Sequence, residues 1–186
     1  MTDYFVKDLC AGYGNKTVIE NFSRDFSAEG CYALMGPSGV GKTTLLHVLA
    51  GLIKPQKGSI AGFAGSKCAV MFQEDRLLDH LTALENVALV SDPAAAKKWL
   101  CALGLEDKLD EKPRKLSGGQ RRRVALARCL AFGGDVLLLD EPFTGLDELN
   151  RENACRVIRE NFSHIIISTH DREEAQLLRA MTVRMK

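Results

Sequence analysis

Residues 31–43 have the sequence CYALMGPSGVGKT, in which a short apolar run leads directly into a glycine-rich loop. The apolar run at 31–35 predicts a buried strand, and the helical spacing of apolar residues over 42–52 predicts a helix after the loop. The loop itself, 36–43, matches the pattern G-x-x-x-x-G-K-[ST], and a strand before it with a helix after it is the context that identifies a P-loop. This order therefore predicts a phosphate-binding loop in an α/β fold.

The residue types in this loop suit a bound phosphate chain. Glycines allow consecutive backbone N–H groups to turn toward phosphate oxygens, and the start of the following helix adds a partial positive charge. Lys42 can reach the outer phosphates, and the hydroxyl of Thr43 can bind Mg²⁺. The alternative is a glycine-rich turn that only caps a helix, but the pattern and its context both indicate nucleotide binding. We expect the nucleotide to contact Gly36, Pro37, Ser38, Gly39, Val40, Gly41, Lys42, Thr43 and Thr44.

Two carboxylates follow a second apolar strand, which is predicted at 136–139. Ligands of open α/β sheets bind at the carboxyl ends of the strands, and Asp140 and Glu141 stand at such an end. We expect Asp140 to hold Mg²⁺ through its hydration shell and Glu141 to orient or deprotonate the attacking water. Taken alone, an acidic pair after a strand is often a helix cap or a surface charge. The P-loop in the same chain favours the catalytic interpretation.

A third element, LSGGQ at 116–120, precedes a helix predicted at 120–131. A serine hydroxyl and glycine N–H groups at a helix start form another anion-binding site, so the chain has two of them. An isolated pentapeptide of this kind could equally be a capping turn. Its position between the P-loop and the acidic strand favours phosphate binding, and the residues concerned are Ser117, Gly118, Gly119 and Gln120.

The composition indicates an ordinary folded protein. The 186 residues are 46% hydrophobic and 26% charged, which suits one α/β domain. A net charge of +1 gives no general reason to bind nucleic acid, and the basic run at 121–123 is expected to be a solvated helix face. The six cysteines have no metal-ligand spacing, so we expect reduced, mostly buried thiols. Neither a signal peptide nor a membrane span is recognisable, so a cytoplasmic location is expected.

Strand and helix signals complete the predicted organisation. Short apolar alternation at 4–26 predicts antiparallel strands joined by a turn, and 58–65 is a short glycine-rich stretch. A Leu- and Ala-rich insertion at 82–104 is predicted to be helical, with Pro93 opening its second helix after Asp92 as the cap. The remaining elements are predicted as strands at 69–72, 164–169 and 182–185, the last at an edge, and helices at 146–162 and 172–178.

The order of these motifs resembles the nucleotide-binding subunits of ABC ATPases over nearly the whole chain, which is short for that family. The resemblance implies an α/β fold of the P-loop NTPase class. It has a RecA-like, mostly parallel sheet, an N-terminal antiparallel β subdomain and an inserted α-helical subdomain. We expect a single ABC ATPase domain, 1–186. Its parts are the β subdomain with the P-loop and first helix (1–72), the Q-loop and helical subdomain (73–119) and the rest of the core (120–186).

The resemblance also implies roles for four further residues. Tyr13 matches the aromatic residue that stacks on adenine, with core packing of its hairpin as the alternative. Gln73 matches the Q-loop glutamine that contacts Mg²⁺ and the attacking water. Asp147 matches the D-loop that crosses between subunits, although it would serve equally well as a helix cap. His170 matches the switch histidine that senses the γ-phosphate, so the implied catalytic set is Glu141, His170 and Gln73.

Family members of this kind pair head to tail, with each ATP between one P-loop and the partner's LSGGQ turn. The resemblance thus implies an ATPase that binds ATP and Mg²⁺ and forms a dimer, a homodimer being expected. Residues 74–78 resemble the importer subunits for sulfonates, taurine or nitrate, in which this segment contacts a membrane subunit. Implied partners are integral membrane permease subunits and a solute-binding protein, with the chain on the inner face of the cell membrane. A soluble single-domain ABC ATPase, such as an iron–sulfur assembly factor, remains the alternative.

Overall fold

The computed structural model describes residues 4–27 and 29–186, which form two sheets with helices packed against them. The smaller sheet is antiparallel, with the strand order β2–β1–β4. Its strands are β1 (Tyr4–Tyr13), β2 (Lys16–Phe26) and β4 (Lys57–Ala61). The predicted N-terminal hairpin is therefore confirmed. Alternate residues of β1 are buried because one face of this sheet covers the core.

The strand β4 was not predicted, because its sequence reads as a glycine-rich connection. Gly58 makes this strand possible. It has a positive φ of 82°, and a Cβ built on it would lie 2.4 Å from the carbonyl oxygens of Lys7 and Asp8. The pairing of β1 with β4 changes register between Lys7 and Cys10, close to this contact. A glycine that looks like a turn signal is here a site where two strands approach closely.

The larger sheet has five strands in the order β5–β6–β7–β3–β8, and every adjacent pair is parallel. The strands are β3 (Gly30–Met35), β5 (Cys68–Met71), β6 (Val136–Asp140), β7 (His164–Ser168) and β8 (Met181–Arg184). The last strand lies at an edge, as predicted. Because all five strands run in one direction, their carboxyl ends meet along a single edge of the sheet.

The parallel sheet separates two hydrophobic cores. Leu137 and Leu139 face the core built with the later helices, whereas Val136 and Leu138 face the core shared with α1 and the antiparallel sheet. Strands buried on both faces are typical of parallel sheets. The helices are α1 (Lys42–Leu49), α2 (Ala83–Ala88), α3 (Pro93–Ala102), α4 (Gly118–Phe132), α5 (Glu148–Asn161) and α6 (Arg172–Leu177).

Two helix boundaries differ from the predictions for clear local reasons. Helix α1 ends at Leu49 rather than at residue 52, because Gly51 has a left-handed φ of 72°. Helix α4 begins at Gly118 rather than at Gln120, because Ser117 is its cap. The prediction that Asp92 caps a helix opened by Pro93 is confirmed, since the Asp92 carboxylate accepts a hydrogen bond from the Ala95 backbone N–H at 2.9 Å.

The cysteines are free thiols, but the prediction that most are buried is wrong. Cys129 and Cys155 are buried, Cys101 is exposed, and Cys10, Cys31 and Cys68 are half-buried. Burial raises the pKa of Cys129 to about 12, so this thiol stays protonated and unreactive at neutral pH. In the described ranges 4–27 and 29–186, the helices are too short or too polar to cross a membrane.

Candidate active site

Some of the predicted site residues, namely the P-loop, Gln73, Asp140, Glu141 and His170, lie at one edge of the sheet because four adjacent parallel strands end there. Strand β3 leads into the P-loop, and β5 ends two residues before Gln73. Strand β6 ends in Asp140, which is followed by Glu141, and β7 ends two residues before His170. Asp140 lies opposite Ser168 on β7, and Ser168 lies opposite Leu34 on β3. The fold thus places residues from distant parts of the sequence along one line.

The P-loop has the compact form that its glycines predict. Gly41 caps α1 with a φ of 103°, and a Cβ on it would lie 2.8 Å from Cγ1 of Ile19. Lys42 is buried, and its ammonium donates to the carbonyl oxygens of Gly36 and Pro37 at 2.8 and 3.1 Å. The loop therefore holds a positive charge over its own backbone. This arrangement suits an anionic ligand at the start of α1, an eight-residue helix.

Asp140 presents one carboxylate oxygen with no protein partner. The residue is 3% exposed, and its Oδ1 accepts a short hydrogen bond from the Ser168 hydroxyl. Its Oδ2 is also buried but has no hydrogen-bond partner among residues 4–27 and 29–186. A buried carboxylate oxygen left unpaired is costly unless a cation or ordered water binds it. The unpaired oxygen therefore fits a hydrated Mg²⁺.

Glu141 has an unusual backbone conformation that other groups hold in place. Its φ is 46°, in the left-handed region that non-glycine residues rarely adopt. Its N–H donates to both the carbonyl oxygen and the hydroxyl of Ser168, at 3.2 and 3.0 Å. The carboxylate Oε1 lies 4.0 Å from Nδ1 of His170, whose side chain is 76% exposed. The structure thus brings these two predicted catalytic side chains together, and strained backbone of this kind is common at functional sites.

The buried arginines of α4 were missed by the sequence analysis, and the expected solvated basic face is wrong. Arg122 and Arg123 are only 3% and 9% exposed. Arg123 donates to the carbonyl oxygens of Leu103 and Gly104, so it holds the helical insertion. Arg122 instead reaches the site, where it contacts the backbone at the carboxyl ends of β5 and β6. Helical periodicity gave a usable signal, because Arg122 is spaced four and eight residues before the fully buried Leu126 and Leu130.

Arg122 also ties down the segment that carries Gln73. It donates to the carbonyl oxygens of Phe72 and Gln73 at 3.0 and 2.9 Å, and to Asp75 Oδ1 at 3.1 Å. The Gln73 side chain is exposed beside this anchored backbone. Ser168 is the second missed residue, and its signal is a small polar side chain inside the buried strand 164–168. Arg122 and Ser168 support the predicted residues rather than replace them.

The LSGGQ turn and the Asp147 region are seen as helix caps. Ser117 Oγ accepts from the Gln120 N–H, and Gln120 Oε1 accepts from the Ser117 N–H, which forms a capping box. Asp147 caps α5 by accepting from the Asn150 N–H at 2.9 Å. Across the described residues, no hydrogen bond joins the LSGGQ turn to the P-loop of the same chain.

Two regions of the surface are open to partners. Tyr13, at the end of β1, is 53% exposed, so the alternative that it packs in the hairpin core is wrong. A groove of about 380 Å³ lies beside the Gln73 segment, and Arg128 holds the backbone there by donating to the carbonyl oxygens of Asp75 and Arg76. The Arg76 guanidinium stacks over the Phe72 ring at 3.8 Å, just after the end of β5.

Comparison with known proteins agrees with this geometry. The profile of the family described as "ABC transporter" matches residues 19–144. The chain is 43% identical over 181 residues to the aliphatic sulfonates import ATP-binding protein SsuB 3 of Paraburkholderia xenovorans, covering 93% of this chain and 72% of that protein. It is 39% identical to the sulfate/thiosulfate import ATP-binding protein CysA of Vibrio vulnificus, covering 91% and 57%. It is 33% identical to the ergothioneine transport ATP-binding protein EgtV of Helicobacter pylori, covering 97% and 96%.

Two solved structures with the same fold are described as dimers. The chain superimposes with a TM-score of 0.86, at 27% identity and covering 98% of this chain and 94% of the other, on the ATP-binding cassette MJ0796. That structure is described as a dimeric post-hydrolysis state bound to ADP and Pi. A second dimeric structure of MJ0796, described as a bacterial ABC transporter cassette, matches with a TM-score of 0.82 at 27% identity, covering 97% and 94%.

Proposed function

The chain belongs to the ABC transporter family and is an ATP-binding ATPase, and from this we propose that it powers an importer as one half of an ATP-dependent dimer. The observation that supports the catalytic part is the common edge of β3, β5, β6 and β7. There, Lys42, the unpaired Oδ2 of Asp140 and the Glu141–His170 pair converge. This arrangement supplies a phosphate-binding loop, a metal-binding carboxylate and a base.

In the proposed reaction the protein positions charges rather than forming covalent bonds. Lys42 and the N–H groups of the P-loop hold the outer phosphates. Glu141 orients the attacking water and accepts its proton, while His170, 4.0 Å from Glu141, contacts the γ-phosphate. Mg²⁺, when bound, would neutralise charge on the phosphate oxygens, and Thr43, Gln73 and Asp140 are the residues that would hold it. The exposed Tyr13 ring would stack on adenine.

We propose that two identical chains complete each other's sites. In the LSGGQ turn, Ser117 and Gly118 are exposed at the start of the 15-residue helix α4, where backbone N–H groups can bind an anion. In a head-to-tail dimer this turn would face the partner's P-loop and add N–H donors around the γ-phosphate, with Asp147 crossing at the interface. The dimeric MJ0796 structures support this arrangement.

The Glu141→Gln variant tests the proposed reaction. This change keeps the shape of the side chain but removes the base. We expect the purified variant to hydrolyse ATP at least about 100-fold more slowly than the wild-type chain. It should still bind ATP, and light scattering should show a stable dimer in ATP. The exposed first-turn acid Glu148 provides the control, and Glu148→Gln should hydrolyse ATP like the wild type. Wild-type-like turnover of Glu141→Gln would refute the assignment.

We propose that the groove beside the Gln73 segment receives a cytoplasmic segment of an integral membrane permease. Its walls combine apolar side chains such as Val70 and Val90 with the charged residues Asp75 and Arg76. The import and transport names of the relatives support this partner and the import direction. A permease would hold the chain on the inner face of the cell membrane, and a solute-binding protein would deliver the solute.

Charge reversal in the groove tests the membrane partner. The Arg76 side chain is half-exposed, and its guanidinium pairs with Glu74 and stacks over the Phe72 ring. Arg76→Glu should abolish copurification with a multi-span protein of the same membrane while leaving ATP binding intact. A wild-type chain that never copurifies with such a protein would favour the soluble single-domain ABC ATPase instead.

A further inference from the structure

We propose that Arg122 is a positioning residue for ATP hydrolysis, which holds the backbone of Gln73 and Glu141 in a fixed relation to one another. The inference rests on the proposed function, because it concerns how those two side chains are held for the reaction. Arg122 lies on α4, outside the P-loop, the acidic strand and the LSGGQ turn, and no family motif cited above includes it.

The contacts of Arg122 join two strand ends. One guanidinium nitrogen donates to the carbonyl oxygens of Phe72 and Gln73 and to Asp75 Oδ1. The other donates to the carbonyl oxygens of Asp140 and Glu141, at 2.6 and 2.8 Å. The side chain is 4% exposed, so these hydrogen bonds form away from water. A planar guanidinium suits this task, because its N–H groups point at several acceptors in fixed directions.

The hydrogen-bond ladder between β5 and β6 shows why such a residue is needed. The last paired residues of these strands are Met71 and Leu139. The catalytic side chains follow just beyond this point, where the strands no longer hold each other. Beyond the end of the ladder, Arg122 connects the two segments by donating to backbone carbonyl oxygens of both. It thereby fixes the separation of the Gln73 and Glu141 backbones, and it helps to hold the left-handed turn at Glu141.

Two features of its position connect Arg122 to the surfaces that are proposed to bind partners. Helix α4 starts at the LSGGQ cap, so a single helix carries both Ser117 and Arg122. Asp75, which pairs with Arg122, lines the groove and is 26% exposed, so a segment bound in the groove can reach it. A displacement of α4 or of Asp75 would therefore shift the backbone of Gln73 and Glu141. Positioning of this kind affects the rate of the chemical step more than nucleotide affinity.

The Arg122→Lys variant tests the inference, with Arg123→Lys as the matched control. Lysine keeps the charge, but its single ammonium cannot span the acceptors on both strands. We expect kcat to fall about 10- to 100-fold in Arg122→Lys with KM and the Kd for ATP nearly unchanged. Arg123 is a buried neighbour whose hydrogen bonds within residues 4–27 and 29–186 go to the carbonyl oxygens of Leu103 and Gly104, so Arg123→Lys should lower thermal stability without this change in kcat.

A second variant keeps the test informative if Arg122→Lys is unstable. Asp75→Asn removes the charge that faces Arg122 and leaves the backbone contacts in place, so we expect a smaller decrease in kcat, about threefold, in a stably folded protein. A wild-type kcat in both variants, or the same loss in Arg123→Lys, would overturn the inference and leave the proposed function standing. A wild-type chain that binds ATP but does not hydrolyse it would overturn the proposed function and this inference together.

Discussion

Ser168→Ala should destabilise the protein by removing one small group that binds two residues of the candidate site. The Ser168 hydroxyl donates to Asp140 Oδ1 and accepts from the Glu141 N–H. The residue is fully buried, so water cannot replace it at either partner without opening the core. A hydrogen bond to a charged group contributes about 1.5–3 kcal/mol, and the carboxylate left behind would have two unpaired buried oxygens. The Glu141 N–H keeps the Ser168 carbonyl as an acceptor, so we expect a total loss of about 3 kcal/mol.

Denaturant and thermal unfolding without nucleotide measure this loss. For a chain of this length, about 3 kcal/mol corresponds to a decrease of about 6–12 °C in the unfolding midpoint. Ser91→Ala is the control, because the Ser91 hydroxyl makes only 3.3 Å contacts with the carbonyl oxygens of Val87 and Asp92. That variant should lie within about 0.5 kcal/mol of the wild type. A loss below about 1 kcal/mol in Ser168→Ala would show that Asp140 does not depend on this hydroxyl.

Two further predictions concern stability outside the catalytic residues. Burial lowers the pKa of His164, so the unfolded chain binds a proton near pH 6.5 that the folded chain resists. The free energy of unfolding should then fall below that pH by up to about 1.4 kcal/mol per unit, and His164→Leu should reduce this slope in urea titrations between pH 7.5 and 5.5. A Cβ at Gly119 would lie 2.8 Å from the Gly145 carbonyl oxygen, so Gly119→Ala should cost about 1–3 kcal/mol. Gly118→Ala, whose Cβ meets only Arg121 at 4.0 Å, should be neutral or slightly stabilising in the same unfolding assay, and equal stabilities would contradict the packing argument.

The order of elements could be predicted because their signals are local. The P-loop pattern, the apolar strand before Asp140 and the Asp92–Pro93 helix start depend on residues that are neighbours in the chain. Strand β4 could not be found in this way. Gly58 gives the same signal whether it forms a turn or allows another backbone to approach, and only the position of β1 distinguishes the two.

The supporting residues of the site were harder to predict than the motifs themselves. Arg122 stands in a run of three arginines, and charge clusters of this kind are usually solvated. Its burial depends on carbonyl oxygens supplied by residues about 50 and 20 positions away, which no local pattern encodes. The roles of Tyr13, Gln73, Asp147 and the LSGGQ turn stay predictions, because they concern a nucleotide and a second chain.

The place of β3 within the parallel sheet has a consequence for synthesis of the chain. This early strand carries the P-loop, yet both of its neighbours, β7 and β8, come from the last part of the described sequence. During translation, both backbone edges of the segment 30–35 therefore stay unpaired until residues 164–184 have left the ribosome. Pairings this distant in sequence form slowly, and an unpaired apolar strand can associate with other chains. Nascent or interrupted chains should accordingly depend on chaperones for longer than the local motifs would suggest, and nucleotide binding should appear only after β7 and β8 have been synthesised.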